Sequence, residues 1–542
     1  MGLRLIYSSN EKKAEAPVSA PMPESRLVWA AVGLFLLFKI PMLFVTNNPE
    51  ELRDFDHFLR MASGQTAYRD FVWLYGPLAP LFYGTFLKLL PEKLLMVRVL
   101  TLGVWCAGVA WLAQLLQRYN FKGFSFWFGV VFLTGLIGYP SYSHNHILPA
   151  VALIGVVYYL SRFYEKNDEW DLHYSYFCAL TVLFCRPVLM GYGVMGLWGA
   201  LFLVESRVAN KTRLVSFYGL ALVTGLLIFR FIYGAGLWSA FFPQPWAILE
   251  TKSYPNLHYL VPHPHFLEKE GLVLFLKQVR ASLETGTFYL HYFIWPTLVL
   301  TLANLVKGRL EIKTAALAAG FALVASLDLL HYGFSDPLSE QAMWVRGQYF
   351  FTGTALSLFL VLWPTLSLGR TFWVKATSFA LLAVITFWSY LPWLTGTIHL
   401  FKYPKNQFRL PAMMGISTHA DRSAIFEAVA FVNSKALPND SVVFPQYEPG
   451  MARLLTARDL FEKDSYMFTR APWYVLNANE TPYAPSGKVT NGQVIESRLV
   501  SEQPRFFVIQ GKSIYRAYCE KPGWHSKDFG APGSDRTVCW RE

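Results

Sequence analysis

Two carboxylates, Asp54 and Asp56, follow the first long apolar segment, in the stretch Arg53 to Leu78 (RDFDHFLRMASGQTAYRDFVWLYGPL). A carboxylate held at a water–membrane boundary beside a substrate can act as general base, taking the proton of an acceptor hydroxyl. Charged groups that close to a bilayer are costly beside lipid and face a cavity or a partner. A plainer alternative stays open, in which both acids sit in a solvated loop and cap the next helix. Downstream come Tyr68-Arg69-Asp70-Phe71 and Tyr75-Gly76-Pro77-Leu78. Arg69 and Asp70 either pair with each other or join Tyr75 in binding substrate. The Gly-Pro step ends one helix and starts another, because proline is best tolerated in a helix's first turn.

Further along, Ser143-His144-Asn145-His146 closes an apolar run. Histidines at i and i+2 share no helix face, and no HExxH or CxxC spacing is present, so His144, Asn145 and His146 are expected to line an outward cavity rather than hold a metal. Arg186, in FCRPVLM, is expected near the outer end of the fifth span, beside Pro187. It could recognise a phosphate bidentately or snorkel to headgroups; for Arg230, in LIFRFIYG, snorkelling is the expectation. Asp328 and His331 are three apart and share a helix face, as an ion pair or as a grip on a phosphate or sugar. Asp336 and Arg346 follow close by.

The elements that must position these groups are membrane helices. The chain is 54% hydrophobic and 15% charged, against about 25% charged in soluble domains. Apolar runs of spanning or near-spanning length read at 27–46, 97–116, 124–141, 146–161, 174–189, 190–204, 214–233, 288–306, 314–331, 348–367 and 374–394, about eleven transmembrane helices. Segment 77–91 is apolar but short, bounded by Pro77 and Pro91 and interrupted by Lys88. A spanning helix needs roughly 20 residues, so this one is expected to lie in the interface. Residues 1–26 are polar with no cleavable signal peptide evident, and the run after them reads as a retained span.

Loop charge tests that reading. With 77–91 not crossing, one side receives Arg4, Lys12, Lys13 and Arg26 and the loops of Arg118/Lys122, Arg162/Lys166, Arg207/Lys211/Arg213, Lys307/Arg309/Lys313 and Arg370/Lys375. That side is then cytoplasmic, and 47–96, the His/Asn turn, the loops at 234–287 and 332–347 and the C-terminus face outward. The net charge of +12 therefore sits in membrane-flanking loops and implies no nucleic-acid partner. Residues 398–542 read as a small extracytoplasmic α/β domain, with a helix over Asp421–Leu437 capped by Asp421 and strands in PNDSVVFPQ and in Pro504–Gly511. Cys106, Cys178 and Cys185 read as packing residues. Cys519 and Cys539 could pair if the tail meets an oxidising compartment.

Outward arginines, carboxylates and histidines at one membrane depth suit an amphiphilic substrate, a lipid phosphate whose headgroup reacts at the outer surface. The segment resembles the membrane-embedded GT-C glycosyltransferases, the superfamily of protein O-mannosyltransferases and bacterial aminoarabinose transferases. The resemblance covers roughly 27–400 and is strongest at 50–90, where Asp54, Phe58, Ala62, Gly64 and Pro77-Leu78 match the superfamily's first outward loop and interfacial helix. It implies a GT-C-type fold with Asp54 catalytic and Asp56 as alternate. It further implies an inverting transfer from a polyprenyl-phosphate sugar donor to a glycan, lipid or protein acceptor, in the presence of membrane lipids. YRDF and YGPL resemble the bacterial branch, which implies an inner-membrane enzyme.

Three departures matter. Asp54-Phe55-Asp56 stands where many members have Asp-Glu, and His144-Asn145-His146 where others place a second acid. No cofactor is therefore expected, and a divalent metal has no ligand spacing to support it. Tyr75-Gly76 stands where the aminoarabinose transferases carry Glu-Lys, so phosphate binding falls to Arg186 and Arg346. A transporter or flippase of lipid-linked sugars would show inverted repeats and polar breaks near midmembrane; neither is visible. A non-catalytic envelope scaffold, with the tail as docking module, is the third reading.

Overall fold

The structure, a computed structural model, describes residues 24–44, 49–241 (save 72, 74, 120, 137–143, 188 and 209), 295–306 and 320, together with 407–409, 417–419, 423–443, 455–460, 475–476, 489–490, 499–510, 516–529 and 536–542. Helices dominate the first part: α1 (Glu24–Lys39), α2 (Pro49–Ala62), α3 (Leu78–Leu89), α4 (Leu94–Arg118), α5 (Phe124–Leu136), α6 (Ile147–Lys166), α7 (Glu169–Cys185), α8 (Leu189–Val204), α9 (Lys211–Tyr233), α10 (Leu237–Phe241) and α11 (Trp295–Val306). Short 3₁₀ turns follow α1 at Pro41–Phe44 and precede α6 at His144–His146.

Leu94–Arg118, His144–Lys166 and Lys211–Tyr233 are each long and apolar enough to cross a membrane. The chain is accordingly an integral membrane protein. By contrast α3, at 12 residues, spans only about 18 Å at 1.5 Å per residue, short of a hydrocarbon core of roughly 30 Å.

Expected and observed boundaries differ where local chemistry intervenes. The helix expected at 174–189 runs instead over Glu169–Cys185. It starts earlier because the Asp168 carboxylate accepts the Trp170 N–H at 3.1 Å, satisfying a donor of the first turn. It stops at Cys185 because Pro187 disfavours helical backbone in the residue before it, and Arg186 leaves the helix with φ −140°. The helix α6 outruns its expected end and is closed by Asn167 in the left-handed region, φ 56°. The spans expected at 314–331, 348–367 and 374–394 lie outside the described residues, Gly320 apart, as does most of 234–287.

Helices α4, α6 and α7 pack as a central layer, with α6 buried around most of its circumference. Without a hydrophobic drive between helices in lipid, close backbone approach supplies the attraction. Gly155 of α6 is the place where this happens: a Cβ there would stand 2.7 Å from Cys178 Sγ and 2.9 Å from Trp111.

The helices alternate in direction, and their ends sort into two groups. At one end the loops gather Arg118 with Glu165, Arg162 with Asp171 at 3.0 Å, and Arg207 with Glu205 and the Tyr164 carbonyl. The basic loops from 118 to 213 thus share one end. At the other end α2 and α3 lie across the end of α1, the starts of α4 and α6 and the ends of α7 and α9. The contacts that place them there include Arg98 to the Leu43 carbonyl, Tyr83 to Thr101, Gly76 to Cys185 and Tyr233 to Pro77.

In the C-terminal part, β1 (Gln407–Arg409) and β2 (Ser417–His419) pair antiparallel, and so do β5 (Val475–Leu476) and β6 (Val489–Thr490). A five-stranded mixed sheet is formed by β3 (Ser441–Val443), β4 (Arg458–Asp459), β7 (Phe506–Gln510), β8 (Trp524–Phe529) and β9 (Arg536–Arg541) in the order β4-β3-β7-β9-β8. Helix α12 (Ser423–Lys435) packs on β8 and β9, with Phe431 against Phe529 and Trp540. Residue Asp421, the expected cap, lies outside the described residues. A disulfide joins Cys519, at the end of α13 (Arg516–Cys519), to Cys539 of β9.

Candidate active site

The site grows from α2, whose sequence PEELRDFDHFLRMA carries charges on both faces. Such a helix would ordinarily be solvated, yet Glu51, Asp54, Asp56, His57 and Arg60 are all buried, together with Phe55, Phe58 and Leu59. Burial excludes the solvated-loop alternative for Asp54 and Asp56. Charges taken from water must be matched by partners or cost several kcal/mol each, so the partners explain the fold here.

Glu51, Asp54, Phe55 and Phe58 follow i, i+3, i+4, i+7 spacing and share a face. Glu51 receives a bidentate grip from Arg98 of α4, Nε to Oε1 at 2.6 Å and Nη2 to Oε2 at 2.7 Å. The remaining Arg98 nitrogen donates to the Leu43 carbonyl at 2.5 Å, tying the end of α1 to the same point. Asp54 accepts two bonds from Asn145, from the backbone N–H and from the side-chain amide, both at 3.2 Å. Phe58 stacks on Tyr83 of α3 at 4.6 Å. On the other face, Asp56 pairs one turn along with Arg60 at 2.7 Å, and His57 stacks on Phe71.

The three-residue turn His144-Asn145-His146 is buried throughout. Each of its residues meets a different neighbour. His144 is bound to Thr101 and Glu51, Asn145 to Asp54, and His146 sits edge-on to Tyr75 with ring centroids 5.7 Å apart. Tyr75 in turn supports Arg186, whose guanidinium carbon lies 5.0 Å from the ring centroid. Contacts thus run without a break from Asp54 through Asn145, His146 and Tyr75 to Arg186.

Gly76 explains why the YGPL step is built as it is. Its N–H donates to the Cys185 carbonyl at 3.0 Å. A Cβ at this position would fall 2.0 Å from the Phe184 carbonyl oxygen, so only glycine lets the segment lie on the end of α7. Trp73 Nε1 and the Tyr233 hydroxyl clamp the Gly76 and Pro77 carbonyls at 2.9 and 2.7 Å. Tyr68, left-handed at φ 65°, donates its hydroxyl to the Tyr75 carbonyl and rests edge-on against Tyr233. Left-handed backbone is uncommon for a bulky residue and gathers at functional sites. Burial, with Tyr233 and Cys185 nearby, pushes the Tyr68 phenol well above its ordinary range, so it stays a donor.

Arg69 and Asp70 stand apart from this centre. They pair with each other at 2.9 Å, Arg69 also reaching Thr66, and the Arg69 side chain is 63% exposed. Arg230 is half-buried near the end of α9. Asp328, His331, Asp336 and Arg346 lie outside the described residues. Sequence reasoning passed over Glu51, Arg98, Thr101 and Tyr83. The signal for Arg98 was present: an arginine inside an apolar run needs a buried partner, and the glutamate three residues before Asp54 is that partner. Among the described residues no group of three or more His, Cys, Asp or Glu side chains is arranged to hold a metal ion.

Fold and site together define a helical integral membrane protein with a buried, charge-rich centre at one end of its helices. No protein-family model matches the chain, and no curated protein matches it. Among solved structures it is similar to ArnT from Cupriavidus metallidurans bound to undecaprenyl phosphate, at 13% identity and TM-score 0.47 over 95% of this chain and 97% of that one. It is likewise similar to the apo state of the same protein, at 12% identity and TM-score 0.48 over 95% and 98%.

Proposed function

We propose that the chain is an inverting glycosyltransferase that moves a sugar from a polyprenyl-phosphate donor to an acceptor hydroxyl at the extracytoplasmic face of the membrane. The observation that carries this reading is the unbroken set of contacts joining Asp54 to Arg186, which puts a buried carboxylate and a buried guanidinium from distant parts of the chain in one centre. Asp54 takes the acceptor's hydroxyl proton as that oxygen attacks the anomeric carbon. The bond from this carbon to the lipid phosphate breaks through a transition state of oxocarbenium character. Arg186 neutralises the departing phosphate, with a planar fork suited to phosphate oxygens. Asp56 is less suited to the role of base, because it is held by Arg60. No cofactor enters the scheme. The acceptor is a glycan, lipid or protein hydroxyl, and the expected location is a bacterial inner membrane with the C-terminal sheet outside.

A transporter would place its polar groups near midmembrane at broken helices, whereas these gather where helices begin and end. The deciding assay supplies undecaprenyl phosphate carrying a radiolabelled pentose or hexose to the purified chain, with native membranes as acceptor source. Transfer of label by the wild type and its loss in Asp54→Asn are expected. Full transfer by both Asp54→Asn and Asp56→Asn would reject the carboxylate assignment, and no transfer with any donor would reject the glycosyltransferase reading.

A further inference from the structure

Beneath Asp54 lies a second set of buried groups that the proposed chemistry does not use. His144 Nε2 faces Glu51 Oε1 at 3.2 Å and its Nδ1 faces the Thr101 hydroxyl at 2.8 Å. That hydroxyl is 3.0 Å from the Tyr83 phenol. All four side chains are fully buried, so each polar atom depends on the others. Both Glu51 oxygens accept from Arg98, so the one facing the ring is an acceptor. Nε2 therefore carries a proton and donates. Nδ1 is bonded to the Thr101 hydroxyl, which in turn is bonded to the Tyr83 phenol, whose proton burial retains. Bonded at both nitrogens, the ring is held in a single orientation.

What this fixes is the turn. His144 and Asn145 are consecutive in a three-residue 3₁₀ turn, and Asn145 grips Asp54 through both its backbone N–H and its side chain. An imidazole that cannot rotate holds the turn's backbone, and the turn holds the carboxylate. We propose that His144 is a positioning residue: locked between Thr101 and the Glu51–Arg98 pair, it sets the orientation of Asp54 through Asn145 without touching substrate. The proposal rests on the glycosyltransferase reading for its catalytic consequence but not for its geometry.

The test compares His144→Phe, His144→Gln and Asp54→Ala in the full-length protein in detergent, using the labelled undecaprenyl-phosphate sugar above. Misplacement of a reacting group by an ångström can cost about 10²-fold. His144→Phe is therefore expected to lower kcat by about that factor with donor KM within about two-fold. His144→Gln, whose amide still donates to Glu51, is expected to recover most of the loss. In thermal unfolding, His144→Phe and Asp54→Ala together are expected to shift Tm by less than the sum of their separate shifts, as networked residues do. Should His144→Phe not fold, Thr101→Val replaces it, with an expected loss of about ten-fold in kcat from the freed ring. Wild-type kcat in His144→Phe, no recovery in His144→Gln, or additive Tm shifts would overturn the proposal. Wild-type transfer by Asp54→Asn would instead remove Asp54 from the role of base, and no transfer by the wild type would sink the glycosyltransferase reading; in either case the Tm comparison would then decide the positioning role alone.

Discussion

Glu51 and Arg98, 47 residues apart in sequence, meet in a bidentate ion pair at 2.6 and 2.7 Å with both side chains fully buried. The pair joins α2 to the start of α4, and through Leu43 to the end of α1. Removing one partner of such a pair leaves a buried charge uncompensated, which costs about 3–5 kcal/mol. Arg98→Met is thus expected to destabilise the protein by that amount in denaturant titration in detergent. The double replacement Glu51→Leu with Arg98→Met should cost clearly less, because no charge is left behind. Equal losses in the two proteins would show that the pair's charge is not what matters.

Asp54 and Asp56 should separate by what they lose. Asp54→Asn keeps a side chain of the same shape against Asn145, so Tm should barely move while transfer falls by about 10²–10⁴-fold, the usual worth of a general base. Asp56→Asn strips the charge from the buried partner of Arg60. It should therefore lower Tm, with the residual transfer following the folded fraction. Activity assays paired with thermal melts distinguish the two, and the reverse pattern would move the base to Asp56.

The Arg186–Tyr75 contact predicts an effect on donor binding. Lysine retains the charge but neither stacks as a plane nor offers two parallel donors. Arg186→Lys is expected to raise donor KM about ten-fold or more, close to what Arg186→Met does, since a charge-assisted contact is worth roughly 1.5–3 kcal/mol. Tyr75→Phe should leave donor KM nearly unchanged, because the ring face supplies the contact. Initial-rate kinetics over donor concentration provide the check.

Two glycines make a matched pair. Gly76→Ala drives a methyl to 2.0 Å from a carbonyl oxygen, and overpacking of this kind costs about 1–3 kcal/mol or more. It should also lower transfer, since Gly76 anchors the segment beside Arg186. Gly103→Ala, in α4 with nothing within 4 Å, should instead stabilise by roughly 0.5–1 kcal/mol through helix propensity. Melting temperatures of the two variants are expected to move in opposite directions.

The Cys519–Cys539 disulfide closes a segment with a sequence separation of 20. Chain-entropy reasoning puts its removal at about 3 kcal/mol. Cys519→Ser with Cys539→Ser should speed proteolysis within the C-terminal sheet and leave cleavage of the helical part unchanged, as limited digestion followed by mass mapping would show.

Much of the helical architecture was legible because lipid leaves a backbone few options. Apolar runs of adequate length must be helices, and the basic loops between them mark one end, so α4, α6 and α9 fall where hydropathy puts them. The proline-bounded 77–91 run holds a helix of 12 residues, Leu78–Leu89, too short to reach across. Edges read less well. The end of α7 depends on Arg186 preceding Pro187, and its start on one side-chain bond from Asp168 to Trp170, details that hydropathy averages away.

From the sequence alone Asp54, Asp56, His144–His146 and Arg186 were expected to gather where helices end, because charge is costly in lipid. The sequence could not say which of them touch. Arg69 and Asp70 are as polar as the rest, yet they turn outward and satisfy each other. Glu51, which the sequence reading passed over, is drawn inside by Arg98. Those choices depend on contacts between residues tens of positions apart, and only the packing of α2 and α3 across the helix ends sets such distances.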